Sequence, residues 1–317
     1  MDFLIALGGL VILLIAGDTL VRGAVNLSLR LGVPALIVSL TIVALGTSAP
    51  ELLISISAIY DGVPDLALGN VVGSNTANIL LVLGIPAIIS TLRVTDDSSR
   101  VSYLQMIGAT LLFIVLAFVG PFTWVSGLIL LGALTAMLLH AAYSARCHRN
   151  EAIAAAACCE EELEGADPHM SWFRIMTFLL VGLIGLPLGA ELLVRASVNI
   201  ARAFDVSETV IGLTLVALGT SLPELATTVM AALRRETDVA LGNVIGSNMF
   251  NLLGIIGVAS LFGDIPVDPS VRSFDIWVML GASLVLGAFV LRKADITRTW
   301  GIVLSALYVV YIAWVIV

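Results

Sequence analysis

The stretch Ala44-Leu-Gly-Thr-Ser-Ala-Pro-Glu51 occurs a second time in this chain, as Ala217-Leu-Gly-Thr-Ser-Leu-Pro-Glu224. A second motif, Gly69-Asn-Val-Val-Gly-Ser-Asn-Thr-Ala-Asn78, recurs as Gly242-Asn-Val-Ile-Gly-Ser-Asn-Met-Phe-Asn251. In both cases the two copies are 173 positions apart. Self-similarity at a fixed offset indicates an internal duplication. We therefore expect two homologous halves, each containing both motifs.

The composition around these motifs is that of a membrane protein. Of the 317 residues, 59% are hydrophobic and only 12% are charged, and the mean hydropathy is +1.09. Soluble domains have about 45–50% apolar and about 25% charged residues, so a water-soluble globule is excluded. Nucleic-acid binding is also excluded, because 15 basic against 23 acidic residues give a net charge of −8 without a basic stripe.

Apolar segments follow one another along the whole chain. A membrane-crossing helix needs about 20 predominantly apolar residues, and Pro, Gly and polar residues here separate ten segments near that length. Their predicted spans are residues 3–21, 33–58, 66–90, 101–119, 123–143, 174–194, 206–232, 239–263, 273–292 and 299–317. One long hydrophilic stretch, residues 144–171, lies between the fifth and sixth segments.

The distribution of basic residues predicts the orientation. With the N-terminus outside, twelve of the 15 Lys and Arg residues fall on the cytoplasmic side. The positive-inside rule favours this arrangement. We therefore expect both termini outside the cell and residues 144–171 to form a short cytoplasmic loop.

The duplication and the number of crossings together predict the architecture. We assign residues 1–143 to a first five-helix repeat with its motif region at 44–84, and residues 172–317 to a second with its motif region at 217–257. Five crossings is an odd number, so the second repeat is inverted with respect to the first. The predicted fold is an all-α polytopic membrane protein of ten transmembrane helices. Inverted repeats are typical of secondary transporters, whose sites lie at the repeat interface near mid-membrane.

Two glutamates, Glu51 and Glu224, lie in the middle of predicted membrane segments. A carboxylate at that depth costs a few kcal/mol and indicates a functional site. A buried ion pair is the other interpretation, but the sequence offers no Lys or Arg at comparable depth. We therefore expect these carboxylates to bind a cation or to carry a proton.

The residues around the glutamates provide further oxygen atoms. Pro50 and Pro223 cannot donate a backbone hydrogen bond, so we expect a broken helix with free carbonyl groups before each glutamate. Hydroxyl and amide side chains share a helix face within each motif at spacings of three or four residues. The candidates are the side chains of Ser48, Ser221, Ser74, Ser247, Asn78 and Asn251 and the backbone oxygens of Ala44, Thr47, Ala217 and Thr220.

This set of oxygen atoms fits a hard cation. Ca²⁺ takes six to eight oxygen ligands in flexible geometry, and two glutamates balance its charge. Neither motif contains a histidine, and no Cys or Met cluster favours copper or zinc. Emptying the site would leave two buried negative charges, which favours exchange of ions over uniport.

The paired motifs resemble the alpha-repeats of the sodium/calcium exchanger family, and the ten-segment layout extends this resemblance to nearly the whole chain. It implies electrogenic exchange of three Na⁺ for one Ca²⁺ by alternating access, with the first and sixth helices sliding past the other eight. It also implies a cell-membrane protein whose partners are its two ions and the lipid bilayer. We expect no enzymatic activity, no cofactor and no obligatory protein partner.

The resemblance also implies a set of ion ligands. Some relatives carry Asp at one of the positions of Asn78 and Asn251. Asn at both positions disfavours K⁺ co-transport and leaves the site with a net charge of −2. The implied ligands are the carboxylates of Glu51 and Glu224, the hydroxyls of Ser48, Ser74, Ser221, Ser247, Thr47 and Thr220, the carbonyls of Ala44 and Ala217, and the side chains of Asn78 and Asn251.

Other functions remain open at this point. In a Ca²⁺/H⁺ antiporter the same two glutamates would take up protons as Ca²⁺ leaves. A cation channel would need a continuous pore and no counter-ion. An intramembrane enzyme is disfavoured, because the sequence has no HExxH motif and no Ser–His pairing.

Two ion pairs are predicted away from the motifs. Asp18 and Arg22 are four residues apart, as are Glu191 and Arg195 at the equivalent positions of the second half. Opposite charges at this spacing stabilise a helix, and we expect a structural role near the membrane boundary. A role at the hinge of the moving helices is the alternative.

Overall fold

The computed structural model describes residues 1–94, 97–147, 167, 170–204 and 217–316. These residues are mostly helical, and two isolated antiparallel bridges, Leu92 with Ile296 and Phe122 with Ile265, join loops between helices. Most of the hydrophilic stretch between residues 144 and 171 lies outside the described residues, so the loop predicted there is not described.

Ten helical segments follow one another in the described residues, in the order predicted from hydropathy. We number them α1 (Asp2–Leu31), α2 (Ala35–Thr47 and Ala49–Tyr60), α3 (Pro64–Ile89), α4 (Asp97–Val119), α5 (Trp124–Cys147), α6 (Trp172–Ala203), α7 (Ala217–Gly219 and Leu222–Leu233), α8 (Thr237–Ala259), α9 (Val271–Val290) and α10 (Arg298–Ile316).

Eight of these segments are long and apolar enough to cross a membrane, and the bent α2 makes a ninth. The described part of α7 is shorter, because residues 205–216 before it lie outside the described residues. The prediction of an all-α, multi-pass membrane protein is confirmed, whereas the seventh predicted span is described only in part.

The helix ends differ from the prediction at α1 and α6, which continue about ten residues beyond the predicted apolar spans. The polar residues there do not end α1, because Arg22 pairs with Asp18 and Asn26 donates to the Arg22 carbonyl at 2.8 Å. The helix ends at Gly32, whose φ of 67° is a left-handed conformation that glycine adopts readily.

The predicted breaks in α2 and α7 are confirmed. Both halves of α2 meet at Ser48 with a bend of 42°. Ser48 has φ −84° and ψ 4°, and its equivalent Ser221 has φ −86° and ψ 3°. Pro50 and Pro223 each lie in the first turn of the helix that follows, where a missing N–H costs least.

Wider π-helical turns mark the second motifs. Asn78–Val82 in α3 and Phe250–Ile255 in α8 are π-helical, and the residues Asn78 and Asn251 lie within them. A π turn contains an extra residue and changes which side chains share a face, and such turns are frequent at functional sites.

Helices α1 and α6 form a pair and supply most of one hydrophobic cluster, which includes Leu20 and Leu179 and also a few residues of α2 and α7. Glycines bring their backbones close together, since a Cβ on Gly9 would lie 2.7 Å from the Leu193 nitrogen. The remaining helices contribute most of a second and larger cluster. The fold therefore consists of a two-helix pair packed against a larger helical body.

Glycine also permits the close contact of α8 with α2. A Cβ on Gly246 would lie 2.4 Å from the Leu40 oxygen, and one on Gly242 would lie 2.7 Å from the Leu36 oxygen. The equivalent contact of α3 would involve residues 209 and 213, which lie outside the described residues.

Candidate cation-binding site

The breaks of α2 and α7 and the second motifs of α3 and α8 place their polar side chains together in the interior. Thr220 is only half-buried, and Ala217 is the first described residue of α7. The other predicted ligand residues are each at most 5% exposed: Ala44, Thr47, Ser48, Glu51, Ser74, Asn78, Ser221, Glu224, Ser247 and Asn251.

The two glutamates lie close together. Each is 1% exposed, and their carboxylates are near enough to interact as like charges. The Ser48 hydroxyl of α2 donates to Oε1 of Glu224 at 3.2 Å, so one half reaches the carboxylate of the other. Thr47 and Ser247 lie near the same carboxylate, with their hydroxyl oxygens 3.5 Å apart.

Several buried oxygen atoms in this region have no hydrogen-bond partner among the described residues. Buried polar atoms are normally paired, so unpaired oxygens from four helices mark a position for a ligand. These atoms are Oε2 of Glu51, Oε2 of Glu224, Oγ of Ser221, Oδ1 of Asn78 and Oδ1 of Asn251.

The donor set consists of two carboxylates and neutral oxygens. Within the described residues, no group of three or more His, Cys, Asp or Glu could hold a metal ion. Any cation bound here would therefore depend largely on hydroxyl, amide and carbonyl oxygens. Such a set suits hard cations that lose their water shell readily and accept irregular oxygen geometry.

The Ala44 carbonyl is engaged in the structure and not freed by the helix break. It accepts the Ser48 N–H at 3.0 Å and the Thr47 hydroxyl at 3.3 Å. The reason is positional: Pro50 removes the donor to the carbonyl four residues earlier, at Gly46, and leaves the donor to Ala44 intact.

Sequence reasoning missed Asn70, which supports Glu51. Asn70 Nδ2 lies 3.5 Å from the Glu51 carbonyl oxygen and 3.4 Å from the Ser55 hydroxyl. The sequence contains a signal for this residue, because an asparagine follows the first glycine of the second motif in both halves.

Asn243 occupies the equivalent position in the second half. Its Nδ2 lies 3.4 Å from the Glu224 carbonyl oxygen and 3.2 Å from the Thr228 hydroxyl. Its Oδ1 accepts from the Thr47 hydroxyl at 3.3 Å. Both asparagines therefore attach the second motif to the helix that carries the glutamate.

Sequence reasoning also missed Asn75 and Asn248. Asn78 donates to Oδ1 of Asn248 at 3.1 Å, and Asn251 donates to Oδ1 of Asn75 at 3.0 Å. Each bond joins α3 to α8, so an asparagine of each half accepts a hydrogen bond from a predicted ligand residue of the other half.

Comparison with known proteins places this chain in a family. The family model described as sodium/calcium exchanger protein matches residues 1–143 and 175–317. A putative antiporter, CaxA of Alkalimonas amylolytica, is 35% identical over 291 residues, which cover 92% of this chain and 90% of that protein. The sodium/calcium exchanger MaX1 of Methanosarcina acetivorans is 33% identical and is covered over 97% of its length, with 98% of this chain matched.

A solved structure agrees over nearly the whole fold. The sodium-calcium exchanger NCX_Mj, soaked with Na⁺ and Sr²⁺, superposes with a TM-score of 0.83 at 34% identity, covering 98% of this chain and 97% of that one. This protein is a transporter and not an enzyme. The chain belongs to the sodium/calcium exchanger family.

Proposed function

We propose that this protein exchanges Na⁺ for Ca²⁺ across the membrane by alternating access, with three Na⁺ moving against one Ca²⁺. The observation that carries the proposal is the set of unpaired buried oxygens around two adjacent carboxylates. Similarity to MaX1 and to NCX_Mj supports the choice of the two ions.

The proposed ligands are the twelve residues of the two motifs. Glu51 and Glu224 supply the charge, and the hydroxyl, amide and carbonyl groups supply neutral oxygens. The complete set is Glu51, Glu224, Ser48, Ser221, Ser74, Ser247, Asn78, Asn251, Thr47, Thr220, Ala44 and Ala217.

Charge balance links this site to exchange. The two carboxylates neutralise one Ca²⁺, and their removal from any counter-ion is costly in a low dielectric. An empty carrier therefore crosses over slowly, and Ca²⁺ leaves when Na⁺ replaces it. Three Na⁺ carry one more positive charge than one Ca²⁺, so each cycle moves one net charge.

The proposed moving element is the α1–α6 pair. The buried side chains that α1 and α6 pack against each other and their glycine-mediated contact support movement as one body. The inverted halves 1–143 and 172–317, with both termini outside and residues 144–171 in the cytoplasm, provide the symmetry that exchanges the two open states. We place the protein in the cell membrane.

A Ca²⁺/H⁺ antiporter is the second candidate. The observation that favours it is the proximity of the two buried carboxylates, since protons taken up there would relieve their mutual repulsion as Ca²⁺ leaves. The two candidates use the same residues and differ in the driving ion.

The test is Ca²⁺ uptake into proteoliposomes. We expect uptake when a Na⁺ gradient is imposed and none without a counter-ion gradient. We also expect acceleration by an inside-positive membrane potential, because three Na⁺ leave the vesicle for each Ca²⁺ that enters. Uptake driven by a pH gradient alone would replace this proposal with the second candidate. Rapid flux without any counter-ion gradient would contradict both and indicate a channel.

A further inference from the structure

Asn75 and Asn248 occupy equivalent positions in the two halves, and neither is among the proposed ligands. Each is 1% exposed. They face each other where α3 crosses α8, and each contacts the backbone of the other. Asn75 Nδ2 donates to the Asn248 carbonyl at 3.2 Å, and Asn248 Nδ2 donates to the Asn75 carbonyl at 3.4 Å.

These backbone bonds determine the orientation of both amides. A carbonyl oxygen only accepts hydrogen bonds, so the nitrogen end of each side chain must face it. The oxygen end of each amide then points the other way. The contact of Asn248 Nδ2 with Met106 Sδ at 3.8 Å agrees with this orientation, because the thioether is a weak acceptor.

The orientation of this pair determines the orientation of two proposed ligands. Oδ1 of Asn248 can only accept, so Asn78 must present its Nδ2, at 3.1 Å. Oδ1 of Asn75 likewise receives Nδ2 of Asn251, at 3.0 Å. As a result the oxygens of Asn78 and Asn251 are turned away from the pair, and both are buried without a partner among the described residues.

We propose that Asn75 and Asn248 are positioning residues that orient the amide oxygens of Asn251 and Asn78 toward the transported cation. The inference rests on the proposed function. Without the pair, either ligand amide can turn its NH₂ group toward the cation, which would repel it. Each half thus sets the orientation of a ligand that belongs to the other half.

The first test is a double-mutant cycle on Asn248 and Asn78. In Asn248→Leu the acceptor for Asn78 is lost, and we expect the apparent affinity for Ca²⁺ to fall about 10-fold or more, as for other groups that orient metal ligands. In Asn78→Ala the ligand oxygen is already absent. If Asn248 acts through Asn78, adding Asn248→Leu to Asn78→Ala has little further effect on Ca²⁺ affinity.

A purely structural role for Asn248 gives a different result. Asn248→Leu would then weaken Ca²⁺ binding equally in both backgrounds and would lower the midpoint of unfolding without ions. Ser283→Ala on α9 controls for the loss of a buried polar group, because Ser283 is 1% exposed and its hydroxyl bonds within its own helix. We expect wild-type Ca²⁺ affinity in this variant.

The second test uses aspartate, which has an oxygen at both ends and needs no orientation. In the wild-type background, Asn78→Asp places a carboxylate oxygen against Oδ1 of Asn248, so the gain from the added charge is reduced. In the Asn248→Leu background that opposition is gone, and we expect Asn78→Asp to restore most of the lost Ca²⁺ affinity. An equal change in both backgrounds would contradict the inference, because charge alone would explain it.

These outcomes are separable from the proposed function. The affinities are measured as ⁴⁵Ca²⁺ binding by purified protein, alongside Na⁺-driven uptake by the wild type. Absence of Na⁺-driven uptake in the wild type overturns the proposed function. Normal wild-type exchange with unchanged Ca²⁺ affinity in a folded Asn248→Leu variant overturns only the positioning role. The Asn75 and Asn251 pair gives an independent repeat of the cycle.

Discussion

Residues at equivalent positions of the two halves make matching bonds in the polar centre of the molecule but different bonds in the flanking α1–α6 pair. At the centre, Asn75 and Asn248 make the same bonds to each other. On the flanks, Asp18 of α1 pairs with Arg22 at 3.1 Å and also with Arg234 in the turn after α7. Its equivalent on α6, Glu191, pairs with Arg195 on the same helix.

The side chains of these ion pairs also differ in exposure between the two halves. The Arg234 and Asp18 side chains are 13% and 21% exposed, whereas those of Arg195 and Glu191 are 76% and 56% exposed. The first-half equivalent of Arg234 is the exposed Asp61, an acid that cannot pair with Glu191. The matched asparagine bonds at the centre agree with the proposed site that opens to both sides, and the unlike ion pairs of the flanks agree with the proposed moving helices.

The largest expected effect tests the symmetry of the centre. Glu51→Gln and Glu224→Gln each remove one of the two charges that balance Ca²⁺, so we expect both to abolish exchange. Both variants should remain folded, because glutamine keeps the shape and removes a buried charge. Na⁺-driven Ca²⁺ uptake together with size-exclusion chromatography measures this, and normal exchange in either variant would remove that glutamate from the site.

The next effect concerns the close contact at the centre. Gly246→Ala forces a methyl group against the Leu40 backbone oxygen, and we expect a loss of about 1–3 kcal/mol or more of unfolding free energy. Gly281→Ala on α9 is the matched control, since its Cβ would meet no described atom within 4 Å. Equal unfolding midpoints for the two variants in detergent would show that α8 is not in tight contact with α2.

A smaller effect compares the two flanks directly. Asp18→Asn removes the ion pair with the partly buried Arg234, and we expect a loss of about 1–3 kcal/mol of unfolding free energy. The matched variant Glu191→Gln breaks an exposed pair within one helix, which contributes only about 0.3–0.5 kcal/mol. Thermal unfolding of both variants at low and high salt tests this difference, which would disappear if the Asp18–Arg234 pair contributed nothing.

The smallest effect depends on pH and concerns Glu236, in the same turn as Arg234. Burial, together with the nearby Asp238, raises the pKa of Glu236 to about 7, and Arg234 opposes the shift. The equivalent position in the first half is the apolar Val63. Because the folded state holds this proton up to a higher pH than the unfolded state does, stability falls as the pH rises from about 4.5 through about 7.

Glu236→Gln removes this dependence. Between pH 6 and pH 8 we expect the wild type to lose about 1 kcal/mol relative to the variant. The measurement is the difference in unfolding midpoint between the two proteins across this range. If the unfolding midpoints of the two proteins changed in parallel with pH, Glu236 would titrate at its ordinary pKa. This position would then not distinguish the two halves.

Much of the fold could be predicted because its signals are local. Hydropathy located the segments in order, and Pro50 and Pro223 located the helix breaks, since a proline acts on its own turn. The predictions were wrong at the ends of α1 and α6, where polar residues continue the helix because neighbouring turns satisfy them. The Ala44 carbonyl accepts hydrogen bonds despite the helix break, because the residue four positions later keeps its N–H.

By itself, the sequence determined that the chain is a duplicated membrane protein with a carboxylate, hydroxyls and amides in each copy. Spacing along one helix is enough for that, because it places side chains on a common face. Only the tertiary structure decided which atoms meet across the halves: Ser48 with Glu224, Asn75 with Asn251, and Asp18 with Arg234. The physical reason is that a hydrogen bond or an ion pair depends on the distance and orientation of groups brought together by packing, and a repeat offset contains neither.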